Sequence, residues 1–141
     1  MKTLALVDGS ACSGKAVEYI ATHQDGFQGK DGVHLLHIHP PVPGGLARSI
    51  VGTDAINAYY ESESKAALAP AEKILRDKGI QYHAAYMVGD IPEQVQAYVT
   101  QNGIELIVMG SHGHGGFKSF VMGSVATKVL TTASVPVLIV R

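Results

Sequence analysis

The stretch Ile104–Val125, IELIVMGSHGHGGFKSFVMGSV, decides the fold. Ile104 to Met109 is an apolar run with β-branched residues, the pattern of a strand buried on both faces. It stops at Gly110, and a loop containing Gly110, Gly113, Gly115 and Gly116 follows. Gly123-Ser124 then opens Val125, Ala126, Val129, Leu130 and Ala133, which are apolar at helical spacing. Strand, glycine-rich loop and helix start, in that order, aim backbone N–H groups at one spot above a sheet edge. The first helical amides lack partners and the macrodipole is positive there, so such a spot attracts phosphate. Glycine allows close approach and positive φ, both of which a side chain hinders. The loop is therefore expected to hold the phosphates of a nucleotide.

The chain before this stretch repeats the same alternation. Lys2 to Val7 reads as a buried strand ending at the Asp8-Gly9-Ser10 turn signal. Ser13 is expected to cap a helix whose apolar positions are Ala16, Val17, Ile20 and Ala21, ending near Asp25-Gly26. Val33 to Ile38 is a second strand, stopped by Pro40 and Pro41, which cannot extend a ladder. Residues 40–52 carry three prolines and three glycines and read as a loop, a candidate lid or partner surface. A long helix is expected from about Asp54 to Lys78, capped by Thr53 or Asp54 and kinked at Pro70.

Gln81 to Val88 is a third strand. Asp90 with Glu93 forms a capping-box-like helix start with Pro92 in the first turn, and Ile91, Val95, Tyr98 and Val99 mark its buried stripe. That helix ends at Asn102-Gly103, ahead of the Ile104 strand. Val135 to Val140 closes the chain as a strand, and Pro136 at its start points to a sheet edge. Strands alternating with helices predict an α/β fold: a doubly wound, five-stranded parallel sheet with helices on both faces. Ligands of such sheets bind beyond the carboxyl ends of the strands, where strand order reverses. Asp8, His37 to His39 and Gly110 all fall at carboxyl ends, so they are expected around one crevice.

At 141 residues the chain suits one domain with a real core. Hydrophobic residues at 46% against 16% charged argue for an ordered globular protein. A net charge of −1 leaves no broad basic field for nucleic acid, so any anion must be bound locally. A single cysteine, Cys12, excludes an internal disulfide and suits a reducing compartment. The N-terminal apolar run is too short for a signal peptide, and no segment approaches the ~20 apolar residues that span a bilayer. No membrane association and a cytoplasmic location are the expectation.

The spacing Gly110-x2-Gly113-x9-Gly123-Ser124 has the form G-x2-G-x9-G-[S/T]. Together with LVDGS after the first strand, LLHIHP in the second, MVGDIPEQV after the third and the terminal PVLIVR, it resembles the universal stress protein family over the whole chain, residues 1–141. The resemblance implies a Rossmann-like domain of the adenine nucleotide alpha hydrolase kind, in the ATP-binding subgroup. It implies a glycine loop that holds phosphates, with Gly110, Gly113, Gly123 and Ser124 matching the signature. His112, His114, Gly115 and Gly116 fall within that loop, and Met109 and Val125 flank it. Asp8 matches the acid on the adenosine side, and Ile38 matches the apolar residue beside the base. ATP is the implied cofactor, with AMP or ADP as variants and Mg2+ on the phosphates. A homodimer through Val135 to Val140 is implied as well, with a higher oligomer as an extension. The commoner pattern has Arg where His114 stands, which leaves Lys118 as the formal cation of the loop. The alternative is a protein-interaction module that acts through its dimer surface.

Two other patterns have plainer readings. Gly9-x4-Gly14-Lys15 follows a strand like a Walker A loop, but Ala16 stands where Ser or Thr must hold magnesium. The His37/His39 and His112/His114 pairs have a spacing that lets imidazoles converge on zinc. Histidines that hydrogen-bond to protein explain them more simply, and no metal site is expected.

Overall fold

The computed structural model describes residues 1–27, 30, 32–114 and 121–141. Five parallel strands form one sheet: β1 (Thr3–Leu6), β2 (Val33–His39), β3 (Tyr82–Val88), β4 (Leu106–Gly110) and β5 (Val137–Val140), in the order β3-β2-β1-β4-β5. The chain winds outward from β1 to β3, returns, and winds the other way from β4 to β5. Strand order therefore reverses between β1 and β4, whose registers pair Leu6 with Met109.

The helices are α1 (Ala11–Thr22), α2 (Gln24–Phe27), α3 (Gly45–Val51), α4 (Thr53–Asp77), α5 (Ile91–Asn102) and α6 (Ser124–Thr132). Alternate strand residues point to opposite faces, so the sheet feeds two cores. Ala5, Val7, Leu35 and Val108 pack with Val17 and Ile20 of α1 and Leu68 and Leu75 of α4. Leu4, Leu36, Ile38, Ile107 and Met109 pack with Val95 and Val99 of α5 and Ala126 and Val129 of α6. Helices cover both faces, as the alternation predicts.

Several boundaries differ from the sequence reading. Ser10, not Ser13, caps α1: its hydroxyl accepts the Ser13 N–H at 3.3 Å. The turn tightens earlier because Asp8 Oδ1 accepts the Ser10 N–H at 2.8 Å and Gly9 takes φ +81°. Ser13 is instead buried, its hydroxyl donating to the Ser10 carbonyl. The Gly9–Lys15 string consequently forms a turn and the first turns of α1, with no phosphate-binding loop between strand and helix.

Residues 40–52 are not all loop, since α3 forms within them and leaves Ile50 and Val51 exposed. Neither Thr53 nor Asp54 caps α4. Gly52, at φ +81°, occupies the cap position without a side-chain bond, because the chain enters through a left-handed residue. The helix runs through Pro70 as one element to Asp77. In α6 only Ala126 and Val129 are buried, and Val125 and Leu130 are exposed.

Asp90 does cap α5, its carboxylate accepting the Glu93 N–H at 3.4 Å. Replacing it, Asp90→Ala, should lower stability by about 1 kcal/mol. Urea unfolding followed by circular dichroism checks this, and an unchanged midpoint would show that the cap contributes nothing.

Candidate functional site

A cavity of about 510 Å³ opens beyond the carboxyl ends of β1, β2 and β4, at the point where strand order reverses. Ten of the sequence-predicted residues line it: Asp8, Ile38, Met109, Gly110, His112, Gly113, His114, Gly123, Ser124 and Val125. Gly115 and Gly116, with Lys118, lie outside the described residues.

The two halves of the cavity differ in chemistry. One half is apolar, with Leu6, Leu36, Ile38, Ile91, Met109 and Ala126 in its wall. These side chains belong to the core on the α5–α6 face, which continues to the strand ends and stays open there. The other half is polar, with Asp8, Ser111, His112, Gly113, His114 and Ser124. An apolar wall beside convergent polar groups, in a volume of this size, suits a small molecule with a flat ring at one end. Leu6, Leu36 and Ile91 escaped the sequence reading because an apolar residue on a strand or helix looks like core. Leu6 and Ile91 are distinguished only by their places at element ends.

The glycines act through clearance. None of Gly110, Gly113 and Gly123 has a positive φ, contrary to expectation. A Cβ on Gly110 would lie 2.7 Å from the backbone carbonyl of Cys12, because the first turn of α1 rests on the end of β4. A Cβ on Gly113 would lie 2.8 Å from Asp8 Oδ2. The loop and the β1–α1 turn thus meet across the polar half.

Gly123 caps α6 without a side-chain bond, and its own N–H donates to the Ser111 carbonyl at 2.9 Å. That N–H is engaged by protein. Ser124 is the first helical residue and does not cap the helix. Without a side-chain cap from Gly123, the N-terminus of α6 presents its first turn, Ser124, Val125 and Ala126, to the cavity.

Each cavity histidine is anchored to protein. His37 Nδ1–H donates to the Val7 carbonyl at 2.8 Å. His112 Nε2–H donates to the Val121 carbonyl at 2.5 Å, and its Nδ1 lies 2.9 Å from the Ser111 hydroxyl. His114 Nε2–H donates to the Asp8 carbonyl at 2.7 Å. The fourth, His39, donates to the Pro40 carbonyl at 2.6 Å and packs against Tyr59 and Tyr60, away from the cavity. Among the described residues no three His, Cys, Asp or Glu side chains converge as metal ligands.

Burial alone would raise Asp8. Hydrogen bonds from Ser10, then from Ser13, and the nearby His114 outweigh it and hold the carboxyl below its ordinary value. His37 is pushed down, chiefly by burial and further by His39, against the opposing pull of the Val7 carbonyl, Asp8 and Glu63. Asp8 is therefore a carboxylate and His37 a neutral imidazole at pH 7.

The sequence profile of the Universal stress protein family matches residues 1–141. The chain belongs to the universal stress protein family. It is 31% identical to the universal stress protein YxiE of Bacillus subtilis, covering 99% of this chain and 98% of that one. It is also 31% identical to Slr1230 of Synechocystis, covering 99% of this chain but only 42% of that longer universal stress protein. Among solved structures, MJ0577 superposes with a TM-score of 0.76 at 25% identity, covering 99% of this chain and 94% of the other. The Archaeoglobus fulgidus universal stress protein, solved in complex with dAMP, superposes at 0.65 and 22% identity, covering 100% and 98%. These superpositions agree with the five-stranded parallel α/β fold.

Two outcomes follow from this geometry. Gly110→Ala should cost about 1–3 kcal/mol, because the new methyl meets backbone, and Gly113→Ala should cost less, because it meets only a carboxylate end. Equal urea midpoints for the two variants would contradict the clearance account. His37 binds its proton less readily in the fold than in the unfolded chain. Below an unfolded value near 6.5 the unfolded state therefore gains protons and stability falls with pH. His37→Gln should flatten the decline between pH 7.5 and 5.5 in urea titrations; an unchanged slope would assign the decline elsewhere.

Proposed function

We propose that this protein binds ATP in the cavity at the β1–β4 reversal and acts as a nucleotide-responsive stress regulatory domain. The observation that carries the proposal is a half-apolar, half-polar cavity closed on its polar side by a glycine loop and by the uncapped start of α6. Bare helical amides and a positive dipole end favour phosphate. The apolar half, with Ile38 and Met109, suits an adenine ring, and Asp8 offers two acceptor oxygens to ribose hydroxyls. Related solved proteins hold adenine nucleotides: dAMP in the Archaeoglobus fulgidus protein, AMP in an Arabidopsis thaliana protein, and cAMP in another universal stress protein.

ATP is favoured over AMP by the spacing Gly110-x2-Gly113-x9-Gly123-Ser124, which resembles the signature of the ATP-binding subgroup. Mg2+ would travel on those phosphates. Turnover is slow at most. In-line phosphoryl transfer needs a positioned nucleophile and neutralised charge, and His112, the histidine beside the Ser111 hydroxyl, has both nitrogens engaged by protein. Residues 1–141 work as one domain in the cytoplasm, paired as a homodimer through residues 135–140. The edge position of β5 supports that pairing, since it leaves one side of the strand without a neighbour. Among the described residues no helix is long and apolar enough to cross a membrane.

Thermal unfolding with and without millimolar MgATP tests the reading. A ligand at about 100 times its Kd should stabilise by about 2.7 kcal/mol, raising Tm by roughly 5–10 °C. Gly123→Val, whose side chain crowds the Ser111 carbonyl and the mouth of the loop, should abolish that rise and keep the circular dichroism spectrum. No rise in the native protein would turn the assignment towards a protein-interaction module.

A further inference from the structure

Few side chains set the charge inside the cavity. Among the described residues that line it there is no lysine or arginine; the side chains able to carry a positive charge are His37, His112 and His114, set against one carboxylate, Asp8. Among the described residues, a triphosphate brought there meets helix-end amides but no permanent cation. Resting on the nucleotide reading above, we propose that His114 takes up a proton when the nucleotide binds and supplies a cation to its phosphates, so that affinity for nucleotide rises as pH falls.

Geometry selects His114 from the three. His37 is half-buried, and its remaining nitrogen cannot gain a proton without charging a ring that burial keeps neutral. His112 has one nitrogen on the Val121 carbonyl and the other on the Ser111 hydroxyl. The exposed ring of His114 uses Nε2–H on the Asp8 carbonyl, and among the described residues its Nδ1 has no partner. Protonation at Nδ1 therefore adds a donor and breaks no bond among the described residues.

The charged groups around it bear on the same step from both sides. From the β1–α1 turn the Asp8 carboxylate interacts with His114 electrostatically. His37, on β2, interacts with Asp8. From its own loop comes His112, while Lys118 lies outside the described residues. From α6 comes the positive end of the helix dipole, which opposes an imidazolium until an anion arrives. Phosphate reverses that balance, since an opposite charge within a few ångströms favours the protonated ring.

The test is isothermal titration of the full chain with ATP in saturating magnesium, at pH 6, 7 and 8. A histidine that gains one pKa unit on binding tightens its ligand roughly sixfold between pH 8 and pH 6. The native protein is expected to show that change, with proton uptake at pH 7 read from buffers of different ionisation heat. His114→Gln should bind weakly at every pH with a flat profile. His114→Arg should bind at pH 8 as tightly as the native protein does at pH 6, and it calibrates the titration of the nucleotide's own phosphate. A flat native profile without proton uptake, or a slope that survives His114→Gln, overturns the inference while leaving nucleotide binding intact. Absence of binding at every pH removes both.

Discussion

The backbone of α1 rests directly on Gly110, and the ligand end of the molecule is arranged around that contact. A methyl group there would come within 2.7 Å of the Cys12 carbonyl. Lacking one, β4 and α1 approach closely enough that the β1–α1 turn and the β4–α6 loop face each other. Asp8 then lies against Gly113, and His114 reaches the Asp8 carbonyl. Two loops that start on adjacent strands thus become opposite walls of one cavity. Parallel pairing of β1 with β4 sets the distance between them.

Much of this was legible in the residue pattern. The Ile104–Met109 run, buried on both faces, could hardly be anything but a central strand, and the glycine spacing after it named the loop. Asp90 and Glu93 marked the start of α5 because capping chemistry is local and needs few residue types. The places where the reading failed share a cause. Ser10 and Ser13 are equally good caps in isolation, and the choice between them is made by Asp8 bonding to the Ser10 amide and by Gly9 turning left-handed. Gly52 starts α4 through a backbone conformation that no side chain announces. Leu6 and Ile91 line the cavity only because their elements end there, and that follows from tertiary geometry.

The role of the glycines was half visible. Their positions were evident, but the reason for them was not. Positive φ is a local property that sequence can suggest, whereas room for a neighbouring helix depends on which helix lies there. The Gly123 amide shows the same limit. It looks like a phosphate donor in a string of letters, and in the fold it is held by the Ser111 carbonyl, forming a strut that shapes the loop.

That strut continues outward. The Ser111 N–H donates to the Val140 carbonyl at 3.0 Å, so the root of the loop is tied to the last residue of the edge strand. Whatever stiffens the rim of the sheet at β5 is felt one peptide away from the cavity, and a load on the loop is returned to the rim. By thermodynamic reciprocity any preference of one end for a given arrangement of this tether is owed equally by the other. Ser111 is thereby a mechanical hinge pin between the cavity and the outer border of the molecule.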